Sequence, residues 1–503
     1  MLNPQFQWTC EHDGNDTVSV SCNVFAPVSR VAVRLRVLHC DEIPDEVQQC
    51  VALRTLTVEC DELLSLPSAI GQLAGLSELR LINCERLTSL PDALGQLGGL
   101  RRVTISCCHR LASLPESLGR SRALAFLYIS RCNALTYIPN INQLHALESL
   151  TIGSCRMLGA IPDMPPMQQL RKIHIGLCRI AALPPSLFVQ PSLHSLRVYS
   201  SPFLYVPDAI DLPAIKILHL TSLSQTQIPS AVGQLTTLVE LKLGGTAFAS
   251  LPDLHQLTQL TRFSVDCRAL RQLPNLNSLV ALEQAHFHGV QMLTDIRLAN
   301  LTVLSVGKTT APYAVHAPCL KSTSVDNVTL DAFPDLRHAP LLRQLKISRL
   351  CSASLPDLSL LHGLVVLTIW FCRDLQMLPE ALGRLPCLEI LNVYDCNNLT
   401  SLPKSLGHSP TLQRLQIFSC RQLAELPVSL GQYDVAITVE RCRAMTYPPW
   451  PICERGKDAI RNFLQRVFQR EFVPLKVLIL ILLSTQHLPD ELWCLFLSTY
   501  DLI

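Results

Sequence analysis

One unit repeats along most of this chain, and that periodicity restricts the fold more than any other feature. The segment LSELRLINCERLTSLPDALGQLGG (76–99) recurs as LRRVTISCCHRLASLPESLGRSRA (100–123) and again as LAFLYISRCNALTYIPNINQLHA from Leu124. The unit is LxxLxIxxCxxLxxLPxxLGxLxx. Its starts fall at Leu53, Leu76, Leu100, Leu124, Leu147, Leu170, Leu193, Ile215, Leu238, Leu260, Leu282, Leu301, Leu320, Leu342, Leu364, Leu388 and Leu412, with a degenerate unit near Asp434. That makes 18 units between residue 53 and about residue 450, at steps of 19 to 24 residues. The weakest lie between Leu282 and Pro340, where LP pairs are missing and two steps shrink to 19.

A fixed period of this length predicts a stack, because one unit cannot bury its own leucines and must cover them with the next. The LxLx alternation makes a short strand whose positions 4 and 6 face inward while 5 and 7 face outward. Pro and Gly in the LPxxLGxL arc fall where the chain turns back. The expected fold is an α/β repeat: a solenoid with a parallel sheet on its concave face and short helical or 3-10 turns on its convex side. The pattern resembles the leucine-rich repeat family, specifically the LP-containing, cysteine-bearing repeats of plant intracellular immune receptors. The resemblance covers roughly four fifths of the chain. It implies a horseshoe that binds other proteins and has no catalytic activity of its own. The expected organisation is an N-terminal cap (1–52), the solenoid (53–450) and a helical, apolar C-terminal cap (451–503).

Composition fits a repeat of this kind. Hydrophobic residues reach 48% and charged ones only 16%, because each coil gives six or seven positions to buried apolar groups. With 42 Lys and Arg against 40 Asp and Glu, the net charge of +2 argues against binding nucleic acid or a membrane surface through bulk charge. The chain holds 21 cysteines. Cys84, Cys108, Cys132, Cys155, Cys178, Cys372, Cys396, Cys420 and Cys442 all occupy position 9, and Cys60 and Cys267 sit one residue earlier. Many leucine-rich repeats carry Asn there to bond the turning backbone, and a small thiol fills the same slot. Zinc sites need paired CxxC-like spacing, which is absent. No export signal opens the chain. Its longest apolar run, Val473 to Leu483, is shorter than the ~20 residues a membrane helix needs. The expected location is cytoplasmic, with reduced thiols.

Outward positions 2, 3, 5, 7 and 8 form stripes along the concave face. At position 5, His174, Arg197, His219 and Lys242 follow one another in successive coils, with Arg171 and Lys172 beside them. Either this stretch receives an acidic partner segment or it is a solvated strand face. At position 7, Trp370, Tyr394 and Phe418 are consecutive, with Phe371 at position 8 and Val366 and Ile390 at position 3. Coils ~4.8 Å apart would join these side chains into one apolar strip. The strip is either open to a partner or covered by the C-terminal flank. Trp and Tyr are frequent anchors of protein interfaces.

The remaining motifs carry little chemistry. SVGKTT (305–310) is similar to the end of a phosphate-binding loop, but Thr302 replaces its first glycine, and Gly307 and Lys308 fall at strand positions 7 and 8. His286 and His288 alternate on one strand without a third ligand. Cys10, His12, Asp13 and Cys22 match no metal spacing. The segment PPWPICERGKDAIRNFLQRVFQREF resembles the linker after the repeats of some Roco proteins, and its apolar spacing predicts an amphipathic helix over 457–470. The end, HLPDELWCLFLSTYDLI, resembles the opening of an F-box through Leu488, Pro489, Glu491, Leu492 and Leu497. The resulting expectation is a non-enzymatic scaffold, without catalytic residues, cofactor or metal. It binds a protein or peptide on its concave face in signalling or immunity-like recognition, and the oligomeric state stays open. The alternative is a substrate-recognition adaptor of a ubiquitin ligase. Direct ubiquitin transfer through Cys453 or Cys494 would need more chain than the final fifty residues supply.

Overall fold

The computed structural model describes residues 10–13, 17–21, 33–38, 40–180, 182–199 and 205–471. Two compact units divide the chain, Met1–Leu260 and Thr261–Ile503. In the first, strands pair in parallel and in chain order from Thr17–Ser21 to Glu240–Gly245, while Cys10–Asp13 runs antiparallel to Thr17–Ser21. In the second, Arg262–Cys267, Gln284–His288, Val303–Gly307, Ser322–Asp326, Gln344–Ser348, Val366–Trp370, Ile390–Tyr394, Arg414–Phe418 and Ala436–Glu440 pair in the same way.

Each of these repeat strands begins at position 3 of its unit, and the pairing register is the repeat register; a separate short pair, Ile296–Arg297 with Val315–His316, lies later in two coils of the second unit. Glu78 faces Arg102, Leu79 faces Val103 and Leu81 faces Ile105. Side chains alternate across a strand, so this register stacks positions 4 and 6 into continuous inner rows. Leu79, Leu81, Leu367, Ile369, Leu391 and Val393 are fully buried. Each contributes roughly 1.5–3 kcal/mol by leaving water.

Position 8 ends the strand in the left-handed region. Asn83 (φ 54°), Cys107 (57°), Leu177 (56°), Lys308 (58°) and Phe371 (54°) share this conformation, as do the corresponding residues of other coils. The turn lets the position-8 N–H donate to the position-7 carbonyl of the next coil, as from Asn83 to Ser106 at 2.9 Å. The cysteine at position 9 then points inward. The Cys108 thiol donates to the Ser106 carbonyl at 3.6 Å and meets the Leu81 carbonyl of the preceding coil at 3.9 Å. A neighbouring thiol's hydrogen bond and burial push Cys155 up to about 12, and they raise Cys108, Cys178, Cys396 and Cys420 as well. None of the cysteines from Cys40 to Cys453 is in a disulfide.

The LP pair explains the turns on the opposite side. Pro67, Pro91, Pro115, Pro379, Pro403 and Pro427 each cap a 3-10 turn. The proline ring presets φ, and its carbonyl accepts the N–H three residues on, as from Leu94 to Pro91 at 3.1 Å.

At the N-terminal side, a complete coil precedes residue 53: strand Arg34–Leu38, then a 3-10 turn Asp45–Gln49 that buries Val47. After the repeats come helices α1 (Trp450–Glu454) and α2 (Lys457–Glu471). The helix expected over 457–470 is α2. Its Ile460 and Leu464 are fully buried, and it packs on the turn Val428–Gln432 and the strand Ala436–Glu440. Residues 472–503, with the run Val473–Leu483, the F-box-like segment and Cys494, lie outside the described residues, as do Cys22 and the side chains of Cys10, His12 and Asp13. Among the described residues, no helix is long and apolar enough to cross a membrane.

Candidate functional site

In the first unit, strand register brings the basic stripe together. Arg197 lies opposite His174 on one side and His219 on the other, and His219 lies opposite Lys242. Lys242 and Lys172 are exposed, while His174, Arg197 and His219 are half-buried. Burial first, then the charges of Lys172 and Arg197, hold the His174 imidazole below its ordinary range. Burial also lowers His219, against the opposing pull of Glu240. Both shifts favour the neutral ring. His219 Nε2 lies 2.7 Å from Glu240 Oε1. Position 5 alone does not show this contact, because Glu240 stands at position 3 of the following coil. The carboxylate offsets part of the positive stripe.

Tyr199 is a site residue that sequence reasoning missed. Its hydroxyl hydrogen-bonds His174 Nε2 at 2.9 Å, and the two rings meet edge to face with centroids 5.1 Å apart. It occupies this place because Gly176, opposite it in the preceding coil, has no Cβ; one added there would collide with the Tyr199 ring. The available signal was a glycine at position 7 followed one coil later by an aromatic at position 7.

In the second unit, the aromatic strip is contiguous by register. Trp370 lies opposite Tyr394, Tyr394 opposite Phe418, and Val366 opposite Ile390. Trp370 is 39% exposed and Phe371 37%, with ring centroids 5.3 Å apart. Tyr394 and Phe418 are half-buried, with centroids also 5.3 Å apart, and the Tyr394 hydroxyl donates to Gln416 at 2.7 Å. Ile390 is half-buried beside them. Lys346, one coil earlier, places its Nζ 4.5 Å from the Trp370 ring centroid. The patch thus presents apolar rings with a cation at one edge, a surface suited to an apolar segment that carries a negative charge. Its left-handed position 8 turns Phe371 out beside Trp370 instead of continuing the strand alternation.

His286 and His288 alternate on one strand, and the His288 ring leans over Gly307. No three His, Cys, Asp or Glu side chains gather to hold a metal ion among the described residues.

Strands at fixed repeat positions, proline-capped turns and an inner thiol row define a leucine-rich-repeat solenoid. A family model for a leucine-rich repeat region matches residues 32–198, beginning at the coil that precedes residue 53. A leucine-rich-repeat protein of Leptospira interrogans has the same fold at 21% identity, with 80% of this chain and 95% of that one aligned and a TM-score of 0.50. The functional domain of InlJ from Listeria monocytogenes, whose structure includes a cysteine ladder, aligns at 16% identity over 69% of this chain and 70% of that one, with a TM-score of 0.46. The Arabidopsis receptor kinase HAESA, seen with the peptide hormone IDA and the co-receptor SERK1, aligns at 16% identity over 85% of this chain and 87% of that one, with a TM-score of 0.41. No curated protein matches the chain significantly in sequence.

Proposed function

We propose that this chain is a non-enzymatic recognition scaffold that holds a protein or peptide segment on its strand face, in signalling or immunity-like recognition. The carrying observation is the exposure of Trp370 and Phe371 in one patch with Tyr394 and Phe418. Rings fixed on strands lose little freedom on binding, which favours them as anchors. Lys346 beside Trp370 favours an apolar segment with an acidic residue next to its anchor. The basic stripe in the first unit supports a second contact with an acidic segment, since Lys172, Arg197 and Lys242 outnumber Glu240 there. A cytoplasmic location is part of this reading, supported by the row of free buried thiols.

A displayed peptide library selected on the intact chain tests the reading. Enriched peptides should carry apolar and acidic residues, and Trp370→Ala with Tyr394→Ala should weaken them by about 2 kcal/mol or more. Peptides that bind the double variant as tightly as the parent, or no enrichment at all, would remove the support for this site.

A further inference from the structure

The row of inward thiols breaks off in one part of the second unit. Position 9 is Val290, Thr309, Val328 and Leu350 in the four coils starting at Leu282, Leu301, Leu320 and Leu342. Thr309 is 3% exposed, and its hydroxyl has no hydrogen-bond partner. Its neighbours in the row, Val290 and Val328, offer it none. Two of these coils are the short ones, with steps of 19 residues.

A basin of about 400 Å³ opens beside this row. Arg268, Gln291, Lys308, Thr309, Thr310 and Asn327 line it, and no carboxylate does. Its rim is braced: the Thr310 hydroxyl donates to the Gln291 carbonyl at 2.8 Å, and Gln291 Nε2 donates to the Arg268 carbonyl at 3.4 Å. The backbone N–H groups of Lys308 and Asn327 are spent on the Asp326 and Ser348 carbonyls. Those two groups are therefore unavailable to a ligand. Asp326 is the acid closest in the register to Lys308, and its carboxylate is taken by Ser348 at 2.6 Å and Arg349 at 3.4 Å. Arg268 and Lys308 form no ion pair among the described residues.

We propose that this basin binds an oxyanion of the phosphate class carried on a small polar molecule. Two unpaired cations match a charge of about −2, and the guanidinium can donate two parallel hydrogen bonds to adjacent oxygens. Asn327 adds a neutral donor, and the buried Thr309 is part of the lining. The space exceeds a bare ion, which leaves room for the polar body that carries the phosphate. Lys308, Thr309 and Thr310 of the SVGKTT segment reach this place from a strand end. No helix follows them, and the site is for binding without phosphoryl transfer.

Calorimetric titration of the full chain with ribose 5-phosphate, inorganic phosphate and ribose, at constant sodium chloride, tests the assignment. Ribose 5-phosphate should bind saturably, inorganic phosphate more weakly, and ribose not at all. Arg268→Gln and Lys308→Gln should each weaken the ester about tenfold, and Thr309→Val should weaken it less while keeping the side-chain shape. Arg373→Gln, on the same unit but away from the basin, should bind like the parent. Melting temperatures of all variants report that they are folded. The proposal is overturned by absent saturable binding, by equal binding in the Arg268→Gln/Lys308→Gln double variant, or by inorganic phosphate binding more tightly than the ester.

Discussion

Leu177 carries a branched apolar side chain at φ 56° and is 53% exposed, so it takes the steric cost of the left-handed turn with little burial to offset it. Glycine has no such cost but loses more chain entropy on folding. The balance predicts that Leu177→Gly raises the unfolding free energy by about 0.5–1 kcal/mol, read from the urea midpoint at unchanged slope; a lowered midpoint would contradict it. This turn was not legible in the sequence, because Asn, Cys, Arg, Leu, Lys and Phe all occupy position 8. The hydrogen bond to the next coil is made by the backbone, which leaves no residue signature. His174 gives a second prediction at this scale. Its folded pKa lies below the ordinary value of 6.5 through burial and then the charges of Lys172 and Arg197. An unfolded chain therefore takes up a proton that the folded one refuses, so stability is full above that value and falls as pH drops below it. Urea midpoints at neutral and at mildly acid pH should show this loss, and His174→Gln should reduce it. An identical pH slope in the variant would assign the effect elsewhere.

Strands and turns were legible because each rests on a local rule that repeats. The LxLx pattern places the strands of the large sheet at position 3 onward, and an LP pair followed by the LG of the full arc places the proline caps of the 3-10 turns, whereas Leu273-Pro274 and Leu355-Pro356, which lack that glycine, form none. Contacts between neighbouring coils at different positions were harder to read. Tyr199 over Gly176 and Glu240 beside His219 both require two coils to be laid in register before they can be seen. Helix α2 is a similar case: its apolar spacing was readable, but its docking partner was not. It seats its backbone against Gly431, where an added Cβ would collide with the Leu464 carbonyl. Gly431→Ala should therefore cost about 1–3 kcal/mol and speed amide exchange across Lys457–Glu471. Exchange in Val366–Trp370, two coils away, should stay unchanged. Leu464→Ala opens the same contact from the helix side, and a helix that kept its protection in both variants would show that this docking does not hold it.

At the scale of the whole molecule, a stack of coils has stability that varies along its length, since each coil is supported only by its own bonds and its two neighbours. The second unit contains both extremes. From Val366 onward, its coils carry the turns Glu380–Arg384, Lys404–His408 and Val428–Gln432, and an unbroken thiol row from Cys372 to Cys442. Between Arg262 and Ser348 no 3-10 turn occurs among the described residues, and the row gives way to Val290, Thr309 and Val328. A turn such as Lys404–His408 makes the bond Leu406 N–H to Pro403 (3.2 Å) besides Ser409 N–H to Leu406 (3.3 Å), and only the second has a counterpart in the coil from Leu260, Leu279 N–H to Leu276 (2.9 Å). Each is worth about 1 kcal/mol net. Missing LP pairs and 19-residue steps marked this weak stretch in the sequence. Native-state hydrogen exchange in sub-denaturing urea should therefore release Val303–Gly307 and Ser322–Asp326 before Ile390–Tyr394 and Arg414–Phe418. The basin of Arg268 and Lys308 lies on this less stable stretch, and a ligand that binds only the folded form adds its binding free energy to local stability. Saturating ribose 5-phosphate should delay the release of Val303–Gly307 and Ser322–Asp326 and leave Arg414–Phe418 unmoved. If all four strands release together with or without ligand, the second unit unfolds as one cooperative block, and the missing turns and thiols do not divide its stability.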